Sequence, residues 1–265
     1  MKEAELLFTH ILGCDRVSLL LNKDAPLHKD KAAHAAAVLR RRIRGEPLQY
    51  ILGESEFMGL KFKVNESVLI PRPETEILVE AALEIAAEGR ENGQPIRILE
   101  LGTGSGCIAV SLAKLLPGSD ITATDISAEA IGVAIENASR NNVAEKIYFL
   151  QGDLFDTNGL VDSVFDMVVS NPPYVSTDEI EGLQPEVRFE PKIALDGGRN
   201  GLGFYRAIAR DSAVFLKKNG LLILEIGFAQ KDAVKDILEG SGNFTTIKVI
   251  KDYGGIDRVI IAKKV

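Results

Sequence analysis

"ILELGTGSGC", residues 98–107, decides how the chain is read. An apolar stretch able to form a buried strand runs into Gly102, Gly104 and Gly106, and an apolar helical pattern follows. Glycines at this spacing let the backbone turn tightly and let a ligand approach the main chain. The pattern is GxGxG, not the GxGxxG of dinucleotide folds. Alone it is also what a plain loop-glycine cluster would give, so the surrounding strands have to carry the reading.

Working outward, strands and helices alternate from residue 96 to the end. "IRILEL" precedes a helix over 105–116, "DITATD" a helix over 127–140, and "KIYFLQGD" a loop. "FDMVVS" ends abruptly, a helix over 203–217 leads to "GLLILEIG", and a further helix covers 230–239. "FTTIKVIKDY" and "DRVIIAKK", separated by Gly254 and Gly255, read as an antiparallel pair. Such alternation predicts an α/β fold with a mostly parallel sheet covered by helices on both faces. Five parallel strands plus a terminal hairpin make the seven-stranded, Rossmann-like sheet of a class I methyltransferase.

The first 53 residues differ. "AELLFTHIL" (4–12) places apolar residues on one helical face, Asp15 can cap the next helix, and "KDKAAHAAAVLRRRIRG" (29–45) ends at Gly45. The run Arg40, Arg41, Arg42 and Arg44 reads as a solvated helix end favoured by the dipole, with partner binding as the sharper reading. "ESEFMGLKFKVN" (54–65) alternates about Gly59 as a β-hairpin, and a helix begins after Pro73 and runs to Gly89. The expected division is a helical recognition domain over 1–53, a hairpin linker over 54–72 and a methyltransferase domain over 73–265. Residues 1–72 carry 12 Lys+Arg against 9 Asp+Glu, net +3, and the remainder is net −10. So acidic a body is poorly suited to gripping a nucleic-acid backbone, and no direct nucleic-acid binding is expected.

Three strand ends converge on one ligand. After the glycine loop comes Asp125, whose carboxylate can accept from both hydroxyls of a ribose. The next strand ends in Asp153 and Leu154, a carboxylate and an apolar wall suited to adenine. Together they read as a site for S-adenosyl-L-methionine; a nicotinamide dehydrogenase is the competitor, disfavoured by the glycine spacing and by what ends the fourth strand. That end is "NPPY", Asn171, Pro172, Pro173 and Tyr174. Prolines cannot continue a central strand. Two carbonyls, of the Asn171 side chain and the Pro172 backbone, can receive the two N–H groups of a planar –NH2 acceptor and stabilise its growing positive charge. Tyr174 offers a ring face, and positioning for in-line transfer supplies most of the catalysis. The bland alternative, a proline-terminated strand with a core tyrosine, leaves the neighbouring glycine loop unexplained.

"EPLQYILG" (46–53), "VLIPRPETE" (68–76), "ELGTGSGCIA" (100–109), "NPPY" (171–174) and "ALDGGRNGL" (194–202) together resemble the PrmC/HemK family of bacterial N5-glutamine methyltransferases of peptide-chain release factors. The resemblance runs nearly end to end. It implies that Gly102, Thr103, Gly104, Ser105, Gly106, Asp125 and Asn171 contact the cofactor, with Leu154 at the adenine. Glu100 would be a partner for the donor's amino group, and Asn171, Pro172, Pro173 and Tyr174 would hold the glutamine amide. It further implies S-adenosyl-L-homocysteine as product and class I release factors, through their Gly-Gly-Gln loop, as partners bound by the N-terminal domain. Asn200 stands where the family often has Asp. Other readings are a glutamine methyltransferase acting on another translation protein, an adenine-N6 methyltransferase on nucleic acid, and a non-catalytic module that senses the cofactor.

Cys14 and Cys107 form no metal-ligand spacing, nor do His10, His28 and His34, and no metal is expected. The N-terminus lacks a secretion signal and no apolar run has the length of a membrane span, so a cytoplasmic protein with reduced thiols and no membrane partner is expected.

Overall fold

The computed structural model describes residues 2–88, 95–160 and 164–265, apart from the side chain of Ile247. Four helices open the chain: α1 (Glu3–Leu12), α2 (Arg16–Leu21), α3 (Lys29–Ile43) and α4 (Leu48–Leu52). Leu7 and Ile11 of α1 meet Ala35 and Val38 of α3 and Ile51 of α4 in a small core of their own. Asp15 caps α2, its carboxylate accepting from the Ser18 N–H at 2.7 Å.

The hairpin pairs β1 (Glu54–Phe57) with β2 (Leu60–Lys63). Its turn residues Met58 and Gly59 have φ of 51° and 69°, the left-handed pair that a two-residue connection needs. Phe57 and Phe62 are buried edge to face, 6.1 Å apart, and join the main core. Helix α5 (Pro73–Glu88) follows, with Pro73 as its first residue. The expected end of that helix, Gly89, lies outside the described residues.

The remainder is β3 (Ile96–Leu101), α6 (Cys107–Leu115), β4 (Ser119–Asp125), α7 (Ala128–Arg140), β5 (Ile147–Gln151), β6 (Phe165–Ser170), α8 (Gly203–Phe215), β7 (Leu216–Glu225), α9 (Lys231–Gly240), β8 (Phe244–Lys251) and β9 (Asp257–Lys264). The sheet order is β5-β4-β3-β6-β7-β9-β8. The first five are parallel, β9 runs antiparallel to β7, and β8 antiparallel to β9. Both faces are covered, which is why the strands are apolar on both sides. Ile98 packs into the layer with α5, α6 and the hairpin, whereas its neighbours Leu99 and Leu101 pack into the layer with α8 and α9.

Helix boundaries differ from the sequence reading by one or two residues, and α6 starts at Cys107 rather than 105. The helix expected to reach residue 217 stops at Phe215, and β7 starts at Leu216. Phe165 pairs with Leu216 but Met167 pairs with Leu221, so the polar Lys217–Gly220 stretch bulges out of the ladder.

The chain steps outward from β3 to β4 and β5, then returns to lay β6 against the other side of β3. The carboxyl ends of β3 and β6 therefore form the switch point at which open α/β sheets bind ligands. Gly106 starts α6 there with φ +79°, and a Cβ on it would stand 3.0 Å from Ala134 Cβ and 3.1 Å from Ala134 Cα of α7. At Gly102, also at positive φ, an added Cβ meets nothing within 4 Å. Gly106→Ala is expected to cost about 1–3 kcal/mol in urea unfolding, and Gly102→Ala distinctly less.

Candidate active site

A cavity of about 230 Å³ opens at this switch point. Gly102 and Gly104 line it, and because a Cβ on either would meet nothing within 4 Å, open space lies over their backbone for whatever enters. Asp125, ending β4, is fixed by the loop it faces: Oδ2 accepts from the Gly104 N–H at 2.8 Å and Oδ1 from the Ser127 N–H at 2.9 Å. Each carboxylate oxygen keeps a further lone pair for a ligand hydroxyl. Burial pushes its pKa up, against the backbone N–H groups that favour the ionised form. Asp153 and Leu154 form a side wall. Leu154 has φ +53°, an uncommon conformation for such a residue, and its carbonyl accepts from the Thr124 hydroxyl at 3.2 Å.

Four of the residues expected to touch the cofactor are engaged within the protein. Glu100 is buried; its Oε2 accepts from the Thr103 hydroxyl at 2.6 Å and from the Ala109 N–H at 3.1 Å. Burial raises its pKa to about 8. The Ser105 carbonyl accepts from Asn137 Nδ2 at 2.8 Å, and Gly106 packs on α7. None of Glu100, Thr103, Ser105 and Gly106 lines the cavity. Their side chains and backbone give the loop its shape, because a turn this tight buries polar groups that must be paired.

Asn171, Pro172 and Pro173 also line the cavity. Strand β6 reaches this point beside β3, with Ser170 opposite Leu101 and its hydroxyl donating to the Leu101 carbonyl at 2.8 Å. Asn171 Nδ2 donates to Thr75 Oγ1 at 3.0 Å, and Thr75 Oγ1 donates to Glu225 Oε2 at 2.6 Å. Among the described residues nothing donates to Asn171 Oδ1 or to the Pro172 carbonyl. Two acceptors thus remain at the cavity wall.

Tyr174 departs from expectation. It does not line the cavity: its ring packs with the α8–α9 layer and its hydroxyl faces Glu225 Oε1 at 3.4 Å. The "ALDGGRNGL" segment explains the turn of the chain. The Val175 N–H donates to the Leu195 carbonyl at 3.0 Å and the Gly197 N–H to the Val175 carbonyl at 2.8 Å. Gln230 Nε2 donates to the Tyr174 carbonyl at 3.0 Å. Asn200 Oδ1 accepts from the Leu202 N–H at 3.3 Å, an Asx turn just before α8 that an amide and a carboxylate can make alike.

Several contributors were not legible in the sequence. Ser67, Val68 and Leu69 line the cavity, so the linker contributes to the site. Tyr50 of α4 donates to the Val68 carbonyl at 2.6 Å, and Asn137 binds the backbone of Lys63 on both sides while also holding the glycine loop. Glu190 accepts from the Ile70 N–H at 3.0 Å and from Arg72, which closes the linker against the segment that supplies Ile193. Arg42 is not a free helix end: it bonds Glu3 at 2.5 Å and Glu186 at 2.9 Å. Among the described residues no group of three or more His, Cys, Asp and Glu is placed to hold a metal ion, and no helix is long and apolar enough to cross a membrane.

Comparison with known proteins gives this geometry a context. Residues 1–53 match the PrmC N-terminal domain and residues 75–184 the methyltransferase small domain. The release factor glutamine methyltransferase of Thermodesulfovibrio yellowstonii is 44% identical over 265 residues, covering 100% of this chain and 92% of that one. That of Geobacter sulfurreducens is 44% identical over 97% of this chain and 87% of its own. The chain belongs to the release factor glutamine methyltransferase family. Solved structures agree on the fold. A methyltransferase from Pyrococcus furiosus aligns with TM-score 0.54 at 18% identity, over 88% of this chain and 98% of that one. The catalytic domain of hMettl16, in complex with MAT2A 3'UTR hairpin 1, aligns at 0.62 and 18%, over 89% and 80%. At such identity the likeness is one of fold. Four of the five motifs supply residues to the cavity: Val68 and Leu69, the glycine loop, the "NPPY" turn, and Ala194 of the "ALDGGRNGL" segment.

Two buried carboxyls make stability pH-dependent. Burial raises Glu100 to about 8 and Glu225 to about 7, above the ordinary carboxyl value near 4.5. A group raised on folding stabilises fully below its unfolded pKa, and that contribution is lost as pH rises through the folded value. Thermal unfolding should therefore show stability declining from about pH 5 to 8. Glu100→Gln, which can still accept from Thr103 and Ala109, should match the wild type at pH 5 and exceed it by roughly 1–3 kcal/mol at pH 8.5.

Proposed function

We propose that the protein transfers a methyl group from S-adenosyl-L-methionine to the side-chain amide nitrogen, N5, of the glutamine in the Gly-Gly-Gln motif of class I peptide-chain release factors, supporting translation termination. The observation that carries this reading is the pair of open acceptors, Asn171 Oδ1 and the Pro172 carbonyl, in the cavity that Gly102, Gly104 and Asp125 also line. A primary amide has two N–H donors in one plane, and two fixed carbonyls are its complement.

The residues present fit the methyl donor. Asp125 keeps lone pairs for a ribose diol, Leu154 and Ile126 supply apolar surface, and Gly102 and Gly104 leave room against the backbone. Once bound, S-adenosyl-L-methionine supplies an electrophilic methyl group and leaves as S-adenosyl-L-homocysteine. The rest falls to the chain. An amide nitrogen is a poor nucleophile because its lone pair is delocalised. Asn171 and Pro172 hold both its protons, aim it, and stabilise the positive charge that grows on it. Pro172 and Pro173 keep that wall stiff at little entropic cost. No strong base is needed first, since the methylated nitrogen is acidic. Glu100, Thr103, Ser105 and Gly106 act by shaping the loop, and Tyr174 by anchoring the turn.

The helical residues 1–53 serve recognition of the release factor. Arg40 and Arg44 stay exposed on either side of Ile43, which is exposed too, and these basic and apolar side chains are open to a protein partner. The body over 73–265, at net −10, is ill matched to a nucleic-acid backbone. A cytoplasmic enzyme meeting release factors near the ribosome is the corresponding setting.

Incubation with labelled donor and intact release factors, followed by peptide mapping, tests the reading: label belongs on the Gly-Gly-Gln glutamine, and label elsewhere, or on nucleic acid alone, overturns it. Asn171→Ala should lower turnover about 100- to 1,000-fold while donor affinity changes little. Asp125→Ala should weaken donor binding by about 1–3 kcal/mol in calorimetry.

A further inference from the structure

The cavity needs the oxygen of the Asn171 amide, and the two ends of an amide are nearly equal in size and shape. Something other than shape must choose between them. Asn171 follows β6, Thr75 sits in the first turn of α5, and Glu225 ends β7, so three separate elements meet in one hydrogen-bonded line. Thr75 and Glu225 are almost wholly buried, at 2% and 1% exposure, which removes water as a competing partner.

We infer that Thr75 is a positioning residue that sets which end of the Asn171 amide faces the cavity, its own hydroxyl being turned by Glu225. Above about pH 7, where Glu225 is ionised, its carboxylate can only accept, so it takes the Thr75 hydroxyl proton. The Thr75 oxygen then presents lone pairs alone, and Asn171 must answer with Nδ2, as it does at 3.0 Å. Oδ1 is left for the cavity. With the amide reversed, an –NH2 group would meet the –NH2 of a substrate amide, donor against donor. Thr75 is itself held, its N–H donating to the Arg72 carbonyl at 3.0 Å. Glu225 is steadied by Tyr174 at 3.4 Å. This gives Tyr174 a task that needs no contact with substrate.

The inference rests on the reading of Asn171 as the acceptor of the substrate amide, and the experiment separates the two. In the full-length protein, Thr75→Val keeps the shape and removes the hydroxyl, Thr75→Ser restores it, and both are also made on Asn171→Ala. With a Gly-Gly-Gln peptide and saturating donor, Thr75→Val should lower kcat about 30- to 100-fold. Its affinity for S-adenosyl-L-homocysteine should stay within about two-fold, Thr75→Ser should recover kcat to within about three-fold, and Thr75→Val should cost nothing further on Asn171→Ala. A spectroscopic signature stands apart from activity. In wild-type protein labelled with 15N-asparagine, one proton of the Asn171 side-chain –NH2 should exchange slowly with solvent, and in Thr75→Val neither should. If Thr75→Val turns over normally while Asn171→Ala does not, or if the two losses simply add, the positioning role is wrong. Fast exchange of both protons in the wild type also overturns it, whether or not the variants fold. Normal turnover by Asn171→Ala overturns the amide reading itself.

Discussion

The register between β3 and β6 is the constraint on which the rest depends. Leu101 lies opposite Ser170, joined by the Ser170 hydroxyl, so the residue after each strand emerges at the same height. One of those residues begins the glycine loop and the other is Asn171. A slip of one residue would turn every side chain of β6 to the other face and carry the "NPPY" acceptors away from the loop. The register is secured because both strands are buried on both faces, where a slip would exchange the contents of two separate apolar layers. The prolines end the strand where the ladder is no longer wanted.

Around that edge the chain buries three carboxyls, Glu100, Glu190 and Glu225. Taking a carboxylate out of water costs several kcal/mol, and hydrogen bonds recover only part of it. Burial pushes the pKa of all three up, the direction in which that cost acts. Each holds a different wall: Glu100 the glycine loop, Glu190 the linker at Ile70 and Arg72, Glu225 the Thr75–Asn171 line. Apolar replacements would pack more cheaply and would orient nothing. The stability given up appears where polar atoms must point in one direction.

The amino-terminal residues are bound into the same design rather than hung beside it. The hairpin shares the main core, and its β2 backbone is joined by Asn137 to the loop at Ser105. Tyr50 and Val68 pack with Ala130 and Val133 of α7. Arg42 reaches Glu186 across 144 residues of sequence. A partner engaged by the helices would thus press on elements that also shape the cavity.

By itself the sequence determined the order of strands and helices, the seven-stranded sheet, the hairpin turn at Gly59 and the three strand ends that meet. Each of these follows from local rules: apolar periodicity, glycine at positive φ, proline where a ladder must stop. It also marked Asp125, Leu154, Asn171 and Pro172, because chemistry at a strand end depends on residue type and on topology, and both were readable. The loop-shaping role of Glu100, the inward turn of Tyr174, the Ser67–Leu69 wall and the Thr75–Glu225 line were decided only by tertiary structure. Each depends on a partner distant in sequence, 96 residues from Thr75 to Asn171 and 150 to Glu225. No local pattern records such a distance; packing closes it, and the orientation of a side chain is settled by whichever buried group it then has to satisfy.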